Sequence, residues 1–172
     1  MSLFSLWLIP EPEREKTLTA LIAKLARDFQ CLPFTPHATV VTGIFGSAEE
    51  TVAATATLAE ATAPPAAAVE GIASEDYYYR FLYYALTKSP ALDALNERAC
   101  KAFNLAPLEY HPHISLIYAD PAALGASVVA SGVIPQVRGD VIRFDRLVLM
   151  ETTGGEGEWV KVAEFPLRGT SR

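Results

Sequence analysis

The sequence predicts an α+β fold built on a duplicated lobe, with two related β-sheets facing each other. Three observations carry this. Apolar residues at strand spacing alternate along the chain with apolar residues at helical spacing. One order of elements (strand, proline, helix, loop, proline, histidine-bearing strand) occurs twice. A shift of 76 residues places Trp7 on Tyr83, Pro36 on Pro112, His37 on His113 and Thr39 on Ser115. A period that long, seen only twice, is a duplicated lobe and not a solenoid. At 172 residues the chain has the size of one domain. Residues 1–172 are therefore read as a single domain with two pseudo-symmetric lobes.

Each element has a local reason. Leu3 to Ile9 reads as a strand. Pro10 and Pro12 punctuate it, and Glu11, Glu13 and Glu15 suit the first turn of a helix. Leu18, Leu21, Ile22, Leu25 and Phe29 continue that helix to about Cys31. Pro33 and Pro36 break it, and His37 to Thr42 is a strand ended by Gly43. Ser47 caps an Ala-rich helix that runs to about Ala61. The Pro/Ala-rich stretch from Ala63 to Ala68 is a loop leading into a strand near Val69. The aromatic run Tyr77 to Leu86 is β-prone and is predicted as a strand. Ser89-Pro90 starts a helix whose face carries Leu92, Leu95, Ala99 and Phe103. Pro107 closes that region, and His113 to Tyr118 is the next strand. A short helix is expected over Pro121 to Ser131. Three strands follow, at about Val137–Phe144, Asp145–Thr152 and Trp159–Leu167, with Gly154 to Gly157 as a hairpin turn.

Composition narrows the function. The net charge is −6 and the pI about 5.1. Binding long nucleic acid through counterion release needs clustered Lys and Arg, so phosphate recognition here must be local and suits a small nucleotide. The two cysteines, Cys31 and Cys100, lack the spacing of a zinc knuckle or redox pair and read as reduced thiols of a cytoplasmic protein. The first apolar run lacks a basic flank and ends at Pro10, which is a strand pattern and not a signal peptide. No stretch has the length and apolarity of a membrane-spanning helix. Phosphate-binding glycine loops and the Gly-x-Ser-x-Gly elbow are absent.

The chemistry gathers on histidine. The chain has three: His37, His111 and His113. Two of them open His-x-hydroxyl tripeptides, His37-Ala38-Thr39 and His113-Ile114-Ser115. On a strand, side chains at i and i+2 share a face, so each histidine points the same way as its hydroxyl partner. Ala38, Val40, Ile114 and Leu116 face the opposite side, where they can bury. Hydrolysing a phosphate ester needs a base to deprotonate water and an acid to protonate the departing oxygen. Two histidines can fill both roles near neutral pH, and Thr39 and Ser115 would bind the non-bridging phosphate oxygens. His111 invites a metal reading, but the intervening Pro112 and the lack of carboxylate or thiol partners argue against one. No metal or cofactor is expected. The acidic pair Glu75-Asp76 reads as a solvated loop.

The contexts Pro36-His37-Ala38-Thr39-Val40 and Pro112-His113-Ile114-Ser115-Leu116 resemble the signature of the 2H phosphoesterase superfamily. Within it the sequence is most similar to the plant and yeast cyclic phosphodiesterases. Ser5-Leu6-Trp7-Leu8-Ile9-Pro10, the aromatic strand around Phe81, Cys100-Lys101-Ala102-Phe103 and Tyr118 fit that branch. The resemblance implies a bilobal fold of two antiparallel sheets facing a central cleft, with helices packed outside. It implies metal-independent hydrolysis of a nucleoside 2′,3′-cyclic phosphate or of ADP-ribose 1″,2″-cyclic phosphate. By analogy His113 is the base and His37 the acid. Aromatic residues are expected around the nucleotide base, with Trp7 and Tyr118 as candidates and Tyr79 as a further one. Tyr118 lies an odd number of residues from His113, so it reaches the cleft only if the strand ends or bends there. A monomer acting on a small cyclic-phosphate nucleotide, away from membranes, is the expected form.

Two alternatives remain open from the sequence. One is an RNA 2′,3′-cyclic phosphodiesterase or 2′–5′ ligase-like enzyme acting on RNA ends, which would need a local basic strip including Arg80, Arg138 and Arg143. The other is a nucleotide-binding module without turnover, against which both intact tripeptides argue.

Overall fold

The computed structural model describes residues 2–124 and 134–170. Among these, seven strands and four helices follow one another along the chain. They are β1 (Ser2–Pro10), α1 (Pro12–Phe29), β2 (Ala38–Gly46), α2 (Ala48–Glu60), β3 (Ala66–Ala73), β4 (Leu82–Leu86), α3 (Pro90–Ala102), β5 (His113–Ile117), the single turn α4 (Pro121–Leu124), β6 (Val141–Glu151) and β7 (Val160–Pro166). The helix ends obey local chemistry. Ser47 and Ser89 each accept a bond from the backbone N–H three residues on, at the starts of α2 and α3. Pro12 and Pro90 sit where a missing N–H costs nothing. Gln30, in the left-handed conformation, stops α1 just before Cys31. Cys31 and Cys100 are both free thiols.

All strand pairings are antiparallel, in the order β2-β1-β6-β3-β4-β5, with β7 also on β6. The two predicted sheets are joined through β6. Its residues Phe144 to Glu151 pair with β1, and Val141 to Arg143 pair with β3. The expected break between two strands at Phe144/Asp145 therefore does not occur. The sequence suggested it because alternation slips there: Ile142 and Phe144 are buried, and burial then resumes at Leu147 and Leu149. A register irregularity against β1 at Ile9/Pro10 absorbs the slip. Arg146 stays inside the sheet because its guanidinium is met by Glu15, Asp145 and Glu164.

The aromatic run also departs from expectation. Tyr78–Arg80 forms a single 3-10 turn, and β4 begins only at Leu82. Tertiary bonds override the β propensity here. The Tyr78 hydroxyl bonds Glu156, and the Tyr79 carbonyl accepts the Ser115 hydroxyl at 2.8 Å. β3 starts three residues earlier than expected, at Ala66. Of the helix expected over Pro121 to Ser131, only Pro121–Leu124 is described; residues 125–131 lie outside the described residues.

One main core lies between the sheet and the helices. Phe4, Leu6, Leu8, Phe144, Leu147 and Leu149 meet Leu18, Ile22 and Leu25 of α1 and Leu92, Leu95 and Ala99 of α3. The opposite face of β1 and β6 carries a smaller cluster of Trp7, Ile9, Val148 and Met150, with Trp159 against it. This second face borders the cleft. Strict alternation along β1 thus sends Phe4, Leu6 and Leu8 to the core and Ser5 and Trp7 toward the cleft. Among the described residues no helix is long and apolar enough to cross a membrane.

Candidate active site

The two outermost strands in the sheet order, β2 and β5, supply the two histidines. His37 directly precedes Ala38 at the start of β2, and His113 is the first residue of β5. Each follows a proline, which biases the residue before it to extended backbone. In both copies the carbonyl two residues upstream then faces the imidazole. His37 Nδ1–H donates to the Thr35 carbonyl at 2.7 Å, and His113 Nδ1–H to the His111 carbonyl at 2.8 Å. A carbonyl can only accept, so in the neutral ring Nδ1 carries the proton and Nε2 is left with the lone pair.

Both rings line one cavity of about 340 Å³, together with Thr39, Ser115, Trp7, Tyr79 and Tyr118. All seven residues singled out in the sequence therefore border the same space. Trp7, 3 % exposed, stacks on His37 with ring centroids 3.6 Å apart and planes 6° from parallel. Its indole N–H donates to Ser5 Oγ at 2.8 Å, and the Ser5 hydroxyl donates to the Val41 carbonyl. Ser5 thus fixes the indole plane that fixes the imidazole. Ser5→Ala would leave that N–H buried without an acceptor and is expected to cost about 1–3 kcal/mol in chemical denaturation.

Tyr118 reaches the cavity because β5 ends one residue earlier, at Ile117. Its ring stacks on Phe34 at 3.8 Å, and its hydroxyl lies 3.5 Å from His37 Nε2. Tyr79 comes from the 3-10 turn and not from a strand. His113 is the more open of the two histidines, with the ring of Tyr83 edge-on at 5.2 Å.

Burial holds His37 far below the usual imidazole range, at about 3, against the opposing pull of the Thr35 carbonyl. Burial also lowers His113. In the free protein both imidazoles are therefore neutral near pH 7. The Tyr118 hydroxyl is pushed up, chiefly by burial, and stays a protonated donor.

Several residues at the site were missed by sequence reasoning. Trp159, read only as the start of a strand, contacts Trp7 at 5.7 Å, Tyr79 at 5.8 Å and Tyr118 at 6.1 Å, and completes an aromatic wall. The signal available was a large aromatic next to a Gly-rich turn, where core packing does not demand one. Arg80 lines the cavity, whereas Arg138 and Arg143 are not among its lining residues. Glu75 is more than a solvated loop residue. It accepts the Tyr83 hydroxyl at 2.8 Å and pairs with Arg80 at 2.7 Å, because the turn at Tyr78–Arg80 folds those partners back onto it. His111 is exposed beside Glu109, and only its backbone carbonyl serves the site. Among the described residues no group of three or more His, Cys, Asp or Glu is arranged to hold a metal ion.

The chain is similar to known proteins in sequence and in fold. Residues 1–143 match the family described as cyclic phosphodiesterase-like protein. The cyclic phosphodiesterase of Arabidopsis thaliana is 25 % identical over 118 residues, which cover 68 % of this chain and 65 % of the plant protein. The match thus spans just under two thirds of that relative. The Thermus thermophilus protein TT0787 superposes with a TM-score of 0.67 at 17 % identity, covering 98 % of this chain and 100 % of that one. E. coli LigT complexed with 3′-AMP gives a TM-score of 0.62 at 15 % identity, covering 96 % and 98 %. LigT complexed with phosphate gives 0.59 at 14 % identity, covering 96 % of each. The Thermus and E. coli folds share the α+β architecture over nearly their whole length. With the family match over most of its length, the chain belongs to the cyclic phosphodiesterase-like family of 2H phosphoesterases.

Proposed function

We propose that this chain hydrolyses a cyclic phosphodiester on a small nucleotide to a phosphomonoester, using its two histidines as acid and base and no metal. The substrate class is a nucleoside 2′,3′-cyclic phosphate or ADP-ribose 1″,2″-cyclic phosphate. The observation that carries this reading is the paired tether: two imidazoles on one cavity, each with Nδ1–H spent on the carbonyl two residues upstream. The reading treats residues 1–172 as one functional domain, since the site draws on both ends of a continuous sheet. The plant relative named as a cyclic phosphodiesterase, and a fold neighbour seen with phosphate and with 3′-AMP, support the ligand class.

In this mechanism His113 Nε2 takes a proton from water, which attacks phosphorus in line with the departing sugar oxygen. The ring P–O bond breaks, and His37 Nε2–H protonates that oxygen, leaving a phosphomonoester beside a free hydroxyl. His113, the more open imidazole, is the one that incoming water reaches. His37 suits the acid because the face of Trp7 favours an imidazolium by cation–π attraction. The proton enters with the substrate, whose negative charge offsets the burial that keeps His37 neutral in the free protein. Thr39 and Ser115 hold the non-bridging oxygens. Ser115 exchanges its bond to the Tyr79 carbonyl for one to phosphate by rotating a single side-chain torsion. Trp7, Tyr118 and Tyr79 flank the nucleotide.

The test is turnover of adenosine 2′,3′-cyclic phosphate in excess chelator, with the product identified by phosphorus NMR. Undiminished formation of a monophosphate is expected. Activity abolished by the chelator would defeat the metal-free reading, activity confined to oligonucleotide ends would favour an RNA substrate, and binding without turnover would leave a nucleotide-binding module.

A further inference from the structure

Arg80 is the only charged side chain among the described residues that line the catalytic cavity. Its placement is built. Nη2 pairs with Glu75 Oε2 at 2.7 Å, and the other carboxylate oxygen of Glu75 accepts the Tyr83 hydroxyl at 2.8 Å. The guanidinium also lies 5.8 Å from the ring centre of Tyr77. Glu75 meets only one edge of the five-donor fork, and Nε is buried without any hydrogen-bond partner. A second cavity of about 440 Å³ adjoins the first, lined in part by Asn96, Tyr110 and His111. The two share Thr39, Thr42, Arg80 and His113, so Arg80 stands in the neck between them.

Arg80 and His113 line both cavities, whereas His37 lines only the first. The Arg80 charge is among those that lower His113, whereas His37 is governed by burial, the Thr35 carbonyl and His113. A net charge of −6 also gives the chain no general attraction for a polyanion, so a fixed arginine in a neck is a local anion site.

We infer that Arg80 binds a second phosphate of the substrate, in the neck leading to the adjoining cavity, so that this enzyme prefers a cyclic phosphate whose nucleoside also carries a phosphate on its 5′-oxygen. This rests on the hydrolase reading for the position of the first phosphate. Arg80 is thus a specificity-determining residue, and Glu75 a positioning residue that aims it.

The test is a binding measurement, which needs no turnover. Calorimetric dissociation constants are compared for adenosine 3′-monophosphate and adenosine 3′,5′-bisphosphate, on the wild type and on Arg80→Gln and Arg80→Lys. The 5′-phosphate should tighten binding to the wild type by about ten-fold or more, the size of one charge-assisted bond. That advantage should fall below about two-fold in Arg80→Gln and be partly kept in Arg80→Lys. Should Arg80→Gln melt early, Arg80→Met, which keeps the aliphatic stem, replaces it. Equal affinity of the wild type for the two nucleotides, or an advantage that survives loss of the guanidinium, overturns the inference. An advantage that disappears with Arg80, in a protein that fails to turn over cyclic phosphates, would remove the hydrolase reading and leave the anion site standing.

Discussion

Replacing either His37 or His113 by alanine is expected to lower kcat on a nucleoside 2′,3′-cyclic phosphate by about 10²–10⁴-fold, the range for loss of one positioned acid or base. The double variant should be little worse than the single ones, because acid and base act in one displacement and their losses do not add. KM should move much less, since Thr39, Ser115 and the aromatic wall remain. An activated substrate separates the two roles. A 4-nitrophenyl phosphodiester has a leaving group that needs no proton, so His37→Ala should lose far less on it than His113→Ala. Thermal melts monitor folding, because His37→Ala removes the ring on which Trp7 stacks. A single variant that kept turnover within about ten-fold of the wild type would end the two-histidine mechanism. Equal losses for both variants on the activated ester would end the assignment of His37 as acid.

The shared facing of four candidates, His37 with Thr39 and His113 with Ser115, was legible because strand periodicity and the His-x-hydroxyl spacing are local. Each pair needs only an i, i+2 relation to share a face. Tyr118 was harder. Alternation put it on the wrong side, and only the end of β5 at Ile117 brings it to the cavity. Arg80, Glu75 and Trp159 depend on contacts that no local pattern encodes. The turn that carries Tyr79 and Arg80 is set by Ser115, 36 residues away, and by Glu156, 78 residues away. For the same reason the aromatic run looked like strand from end to end. The join between the two sheets was hidden at Asp145-Arg146, where the apolar alternation slips. That pair stays inside β6 because Glu15 from α1 and Glu164 from β7 both form ion pairs with Arg146.

Acid should destabilise this fold steeply, and His37 should account for much of the slope. Its folded-state pKa is about 3, against 6.5 for an ordinary histidine, and the first cause is burial. The sign follows from proton counting. Below 6.5 the unfolded chain binds a proton at this position while the folded chain does not, so falling pH favours unfolding. The contribution is fully present above 6.5. It is lost at up to about 1.4 kcal/mol per pH unit as the pH falls toward about 3. His113, lowered in the same direction, adds to it. Carboxylates titrate in the same window, so the informative quantity is the difference between the wild type and His37→Gln, which is neutral at every pH. Urea denaturation at a series of pH values between about 7 and 4 should show a shallower fall for His37→Gln, and equal slopes would mean that His37 is not held neutral by the fold. The same linkage makes anion binding proton-coupled. Sulfate keeps its charge over this range, and its negative charge between the imidazoles would favour protonation of His37. Sulfate should therefore raise the melting temperature more at about pH 5 than at about pH 7, and its calorimetric binding should take up protons from the buffer in the wild type and fewer in His37→Gln. Proton uptake on binding an anion is the step that would turn a cleft with two neutral imidazoles into one with an acid and a base.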